Sequence, residues 1–138
     1  MEHFLTPVLA LIMWTFIMWV WMYITRIPAM TAVTKNTQKF IDDPSMYEKI
    51  PAKVRWKADN YNHLHEQPVL FYALMFYLFL TSQTDAVMLY LAWGYVIIRV
   101  LHSLVQVTIN KVIPRFGLFL IGSIMLVIMG FRAVLALF

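Results

Sequence analysis

The chain contains no cysteine. It can therefore form no disulfide, no thiolate nucleophile and no cysteine-held iron-sulfur cluster, and any thiol chemistry must come from a ligand. Charge is almost as scarce: Asp, Glu, Lys and Arg supply 13% of the 138 residues, with 7 acids against 11 bases. There is no internal repeat and no low-complexity tract. What fills the chain instead is apolar, at 62% hydrophobic residues and a mean hydropathy of +0.70. Such values lie outside the range of soluble globular domains and define a membrane protein. At this length the chain reads as one domain, residues 1–138, whose small bundle has little interior unless it packs against copies of itself.

A hydrocarbon core of ~30 Å takes ~20 apolar residues to cross as helix. Residues 4–25 carry no charged side chain, and residues 116–138 carry only Arg132. Residues 86–109 also qualify, although Arg99 and His102 lie in their body. The fourth apolar run, residues 68–80, is only ~20 Å long as helix, so the helix is expected to extend back through polar residues to cover 54–81. Polar groups survive at that depth only when they face the bundle interior or water. The fold expected is an all-α integral membrane bundle of four transmembrane helices, at about 4–25, 54–81, 86–109 and 116–138, with a connection over 26–53.

Orientation follows from the basic residues outside the spans. Arg26, Lys35, Lys39, Lys49, Lys53, Arg55 and Lys57 fall in or beside the first connection, and Lys111 and Arg115 in the last turn; the N-terminus, the 81–85 turn and the C-terminus hold none. This bias places both termini on the non-cytoplasmic side. The first segment lacks the basic flank and small-residue cleavage site of a signal peptide. Arg132 is expected to snorkel to the outer interface. The basic charge fits topology and attraction to anionic lipid, with no reason to invoke nucleic acid. Pro28 discourages continuation of the first helix, Asp42, Asp43 and Pro44 make a turn, and Pro51 suits the start of the second helix. The short 81–85 turn makes its two helices antiparallel neighbours.

Two polar stripes stand out. On helix two, Asp59, Asn62, His63 and Glu66 share a face, with His65 pointing elsewhere; on helix three, Tyr95, Arg99, His102, Gln106 and Asn110 share another. Counted from the cytoplasmic ends, Glu66 and His102 both lie ~13 Å deep. Arg99 is deeper and needs an acid, and Glu66 is the one acid at that level, so a Glu66–Arg99 pair, with His102 beside it, is expected. Such a pair can serve only to register two helices. His63 and His102 can equally be hydrogen-bonded bundle residues; with Glu66 they could hold zinc or iron, but no ligand redundancy supports a metal site and none is expected.

These residues, in this arrangement, resemble the MAPEG family, the membrane-associated proteins of eicosanoid and glutathione metabolism. The resemblance runs over nearly the whole chain. In the run Asn60, Tyr61, Asn62, His63, Leu64, His65, Glu66, Gln67, Pro68 the glutamate and the proline match the family's second helix, followed by Phe71 and Tyr72; Arg99 and His102 match an arginine and histidine three apart on the third; Arg115 matches the arginine that opens the fourth. The resemblance implies a homotrimer with sites between subunits open to the cytoplasm. It implies glutathione as cofactor, held by Arg26, Asn62, His63, Glu66, Arg99 and His102, with Arg115 as the catalytic residue that stabilises the thiolate against a lipophilic small-molecule electrophile. The activity implied is a glutathione-dependent transferase or peroxidase. A non-catalytic, lipid-binding or partner-regulating trimer is the alternative. The chain departs from glutathione-using members at Asp59 and Asn62, where they carry arginines, at His63, where an asparagine is expected, and at Gln106, where tyrosine is frequent. It is more similar to the bacterial branch, which implies a multi-pass protein of the bacterial inner membrane.

Overall fold

A computed structural model describes residues 3–138. In chain order they form α1 (Thr6–Val33), α2 (Lys39–Asp42), a 3-10 turn (Pro44–Lys49), α3 (Ala52–His63), α4 (Gln67–Leu80), α5 (Ala86–Thr108) and α6 (Val112–Leu135). No strand occurs among the described residues. Three of these helices, α1, α5 and α6, are long and apolar enough to cross a membrane. With most of their exposed side chains aliphatic or aromatic, this makes the chain a multi-pass integral membrane protein in contact with lipid.

Two helix limits differ from the sequence expectation, both at prolines. α1 does not stop near residue 25 but runs through Pro28 to Val33. A proline costs its helix one N–H and crowds the carbonyl four residues back; here that carbonyl belongs to Ile24, an exposed residue in the second half of α1, and the helix continues past it. The second helix, expected to be continuous over 54–81, is instead split into α3 and α4. Pro68 cannot donate to the Leu64 carbonyl and disfavours helical backbone at the residue before it. Leu64 closes α3, and Glu66 at φ −94°, ψ −98° begins the new helix, where Pro68 sits in the first turn. α4 has 14 residues, a length of ~21 Å, and does not by itself span the hydrocarbon.

α5 is the central element: it lies along α6 and also meets α1 and α3, while α3 packs on α1 and α4 on α6. Between them Leu11, Met18, Phe71, Met75, Leu78, Met88 and Met129 are fully buried, and the Phe71 ring stacks on Tyr95 at 4.7 Å. The connection between α1 and α3 is a short strap. Asp43 caps its 3-10 turn by accepting from Ser45 N at 3.0 Å, buried Phe40 meets Tyr47 edge-on, and Tyr47 lies 5.2 Å from the Arg26 guanidinium, which ties the strap to α1. Lys57 adds a second tie, over the Trp21 ring at 5.3 Å.

At the opposite end Asp85 caps α5, accepting from Met88 N at 3.0 Å, and pairs with Arg132 near the end of α6 at 3.0 Å. The expected snorkelling of Arg132 therefore ends on a carboxylate. The Met88 N–H, followed by Arg132, holds the Asp85 carboxyl below its ordinary value. Because the folded-state value is depressed, this contribution is fully present above the unfolded carboxylate value and is lost as pH falls through the folded one. Asp85→Ala is expected to cost about 1 kcal/mol, mostly from the lost cap since the pair is solvent-screened. Unfolding of the detergent-solubilised protein, followed by circular dichroism, should show the difference at neutral pH and its disappearance in acid.

Candidate functional site

The interruption between α3 and α4 generates the site. Ending a helix frees its last carbonyls, and among apolar neighbours each must find a donor within the protein. The Tyr61 carbonyl is met by His65 Nδ1 at 2.8 Å, which must be the protonated ring nitrogen because a carbonyl only accepts. The Asn62 carbonyl accepts from His65 N at 2.9 Å. The His63 carbonyl accepts from Glu66 N and, across the bundle, from Arg99 Nη2, both at 3.3 Å. Arg99 lies in the body of α5, so this contact places the break at membrane depth.

Around it α3 and α5 form a polar layer. Asn60 donates to Gln106 at 2.9 Å, and the His63 and His102 rings lie 4.9 Å apart, with Phe119 of α6 stacked on His63 at 5.8 Å. A second chain of bonds closes the bundle beyond the break. Tyr95 donates its hydroxyl proton to Gln67 Oε1 at 3.3 Å, Gln67 donates to Ser123 Oγ at 2.7 Å, and Ser123 donates to the Phe119 carbonyl at 2.8 Å. Tyr95, Gln67 and Ser123 therefore form a closed hydrogen-bonded relay, whereas the layer beside it is not closed. Arg99 is 1% exposed, yet its Nε and Nη1 have no partner, and the same holds for His102 Nδ1, Ser103 Oγ and Asn60 Oδ1.

The expected Glu66–Arg99 pair is not formed. Glu66 begins α4 with its side chain largely exposed and accepts from His63 Nδ1 at 2.8 Å, three residues back. The break is the cause, because it rotates residue 66 off the face a continuous helix would have given it. The stripe needs a second correction, which arises within α3 and ahead of the break. Asp59 and Asn62 are exposed, and the side chains that meet α5 are Asn60, His63 and Gln67. Their spacing of three and four was readable in the sequence and would have found Asn60 and Gln67.

The seven residues singled out from sequence are thus distributed over four places. His63, Arg99 and His102 share the layer, with Glu66 on its outer flank. Arg26 and Asn62 line a separate cleft of about 320 Å³ between α1, the 3-10 turn and α3, together with Arg55, Trp56 and Asp59. Neither Arg26 nor Arg55 makes an ion pair among the described residues, and Arg55 Nε is buried without a partner. Arg115 stands in the first turn of α6 at the α5–α6 connection, where it donates through Nη1 to Asn110 Oδ1. It is close enough to His102 for the two to interact electrostatically, as Arg99 and His63 also are. No three His, Asp or Glu side chains among the described residues are grouped as a metal would need.

A helical membrane bundle with a buried, cation-bearing polar layer at a broken helix is the class that fold and site define. The family model for the MAPEG family matches residues 4–135, nearly the whole chain, and the protein belongs to that family. No curated protein and no solved structure matches it.

A buried guanidinium with one protein partner is a net cost to the fold. At the centre of a membrane helix arginine costs about 2.5–3.5 kcal/mol, and the single bond to His63 returns about 1 kcal/mol. Arg99→Met should therefore stabilise the ligand-free protein by about 2 kcal/mol, the difference of those figures. Reversible denaturant titration in detergent reads this directly, and a destabilised variant would show that a hidden partner already compensates Arg99.

Proposed function

We propose that the protein is a glutathione-dependent transferase or peroxidase acting on lipophilic electrophiles. Membership of the MAPEG family sets the frame. The observation that carries the reading is the charge imbalance of the interior. Arg99 is buried with two donor atoms unpartnered, His102 has an unpartnered ring nitrogen, and the nearest acid, Glu66, is turned outward onto His63. A layer rich in donors and poor in acids is complementary to an anionic, carboxylate-bearing ligand.

In this reading Arg99, His102 and His63 bind and orient the ligand in the layer, and Arg26 with Asn62 offers a further carboxylate clamp in the cleft. Glutathione supplies the thiol that the cysteine-free chain lacks. Arg115 holds positive charge at the edge of the layer, and a cation beside a sulfur favours its thiolate form. Glu66 accepts from His63 and fixes the orientation of that ring. The lipid-facing flanks of α1 and α5 give an apolar electrophile a route from the bilayer.

The assembly belongs to the same proposal. α3 and α4 together make the fourth crossing, both termini face away from the cytoplasm, and the chain forms a homotrimer in a bacterial inner membrane. What supports this is a polar flank, Asp59, Asn62 and Glu66, exposed on a single chain beside lipid-facing Val69 and Leu70. Such a surface calls for cover by protein.

A second reading, a non-catalytic lipid-binding or partner-regulating trimer, draws on Asp59 and Asn62, which stand where glutathione-using members carry arginines. Titration calorimetry with glutathione on the detergent-purified protein separates the two. Millimolar or tighter binding, weakened at least about tenfold, or 1.4 kcal/mol, in Arg115→Ala, is expected of the enzyme. Absence of heat at any glutathione concentration leaves the binder.

A further inference from the structure

The α5–α6 connection is built around a residue that the proposed chemistry does not use. α5 closes with Ile109 N and Asn110 N both donating to the Val105 carbonyl, at 3.2 and 2.8 Å. The second of these bonds requires Asn110 to turn into the left-handed region, at φ 46°. Asparagine tolerates that conformation better than most residues other than glycine. Glycine would end the helix equally well, so the turn alone does not explain why a side chain is present.

That side chain is engaged by Arg115. Arg115 sits unfavourably for a cation: it lies in the first turn of α6, the positive end of the helix dipole, beside Lys111 and with no acid in that turn. The Asn110 carbonyl oxygen is the one protein acceptor it has among the described residues, and it takes only Nη1. Nε is buried without a partner, and Nη2 donates to no protein atom among the described residues. Nε–H and Nη2–H lie side by side along one edge of a guanidinium, the edge that grips an anion with two parallel bonds. The tether leaves that edge free and limits rotation of the side chain.

We infer that Asn110 is a positioning residue, holding Arg115 by Nη1 so that its Nε–Nη2 edge is presented to an anionic sulfur or oxygen of a bound ligand. The inference rests on the reading of Arg115 as the residue that meets the thiol, and it concerns a residue that makes no contact with ligand itself. Pre-organisation is the physical gain. An arginine tied at one nitrogen loses less freedom when the other two engage, and the charge is in place before the ligand arrives.

The test uses the full-length protein in detergent with three variants. Asn110→Gly keeps the left-handed turn and removes the tether, Asn110→Asp keeps both, and Arg115→Ala removes the cation. Two signals are followed: the ultraviolet absorbance of glutathione thiolate against pH, and the ¹H–¹⁵N resonance of the Arg115 guanidinium without ligand. Asn110→Gly should lower the thiolate fraction of bound glutathione about tenfold, one pH unit, at a given pH, while Asn110→Asp retains it and thermal unfolding is unchanged in both. Adding Asn110→Gly to Arg115→Ala should then change nothing further. A wild-type thiolate fraction in Asn110→Gly, with loss in Arg115→Ala, overturns the inference. If wild-type protein forms no glutathione thiolate, the thiol-activation reading of Arg115 fails, and the guanidinium signal decides the tether: resolved in wild type and Asn110→Asp but motionally averaged in Asn110→Gly supports it, and equal signals in all three overturn it.

Discussion

Everything in the polar interior depends on how an interrupted helix satisfies its carbonyls without water. Pro68 deprives the Leu64 carbonyl of its partner, and the chain breaks over Leu64–Glu66. Four donors then meet the end of α3: the His65 ring on Tyr61, the His65 backbone on Asn62, and both the Glu66 backbone and Arg99 on His63. Three of these come from the broken segment itself, so only Arg99 ties it to another helix. The bond from Arg99 consequently fixes the height of α3 against α5, and the Asn60–Gln106 bond one turn away confirms the same register.

A guanidinium is more than that task requires. A neutral amide such as Gln106 could donate to a carbonyl at far lower desolvation cost. Glu66 could offset the charge, yet its closest partner is His63 on its own chain segment, an arrangement that the break makes available at 2.8 Å. The bond leaves the carboxylate on the outer flank of the chain, turned away from Arg99. The result is a fold that keeps one acid outside and one cation inside at similar depth. Charge retained within a membrane bundle against its own stability marks a functional position, and this is the physical ground on which a role for Arg99 in ligand binding stands.

The three long spans, the short 81–85 turn and the meeting of polar faces from α3 and α5 were legible in the sequence, because each depends on residues within a few positions of one another or on a count of apolar length. Other features were not. Glu66 does not reach Arg99, since a break displaces every later side chain relative to a continuous helix, and the single signal for it was Pro68, which also begins an apolar run and so reads as part of it. Pro28 carried the opposite ambiguity: the same residue type, in a position where the freed carbonyl is exposed, did not end α1. The bond between Arg115 and Asn110 escapes periodicity altogether because it crosses a turn, and its necessary condition, a left-handed asparagine, is a backbone property.

The two sides of the bundle are held by different kinds of contact, and this bears on where a ligand can enter. α5 and α6 are joined at one end by Asp85 with Arg132 and at the other by Asn110 with Arg115, directional bonds that fix both the register and the rotation of the pair. α1 is instead tied to α3 by Lys57 over Trp21 and to the 3-10 turn by Arg26 over Tyr47, cation–aromatic contacts with broad angular tolerance around the Arg26 cleft. Movement that admits a ligand costs less on the α1–α3 side, where contacts slide, than on the α5–α6 side, where they break. The donors of the layer on α5, Arg99 and His102, therefore stand on the rigid half, as does Arg115 on α6, while Arg26 and Arg55 stand on the half that can yield. On the proposed reading of the layer as a ligand site, its polar anchors are fixed before binding and its opening lies on the opposite wall.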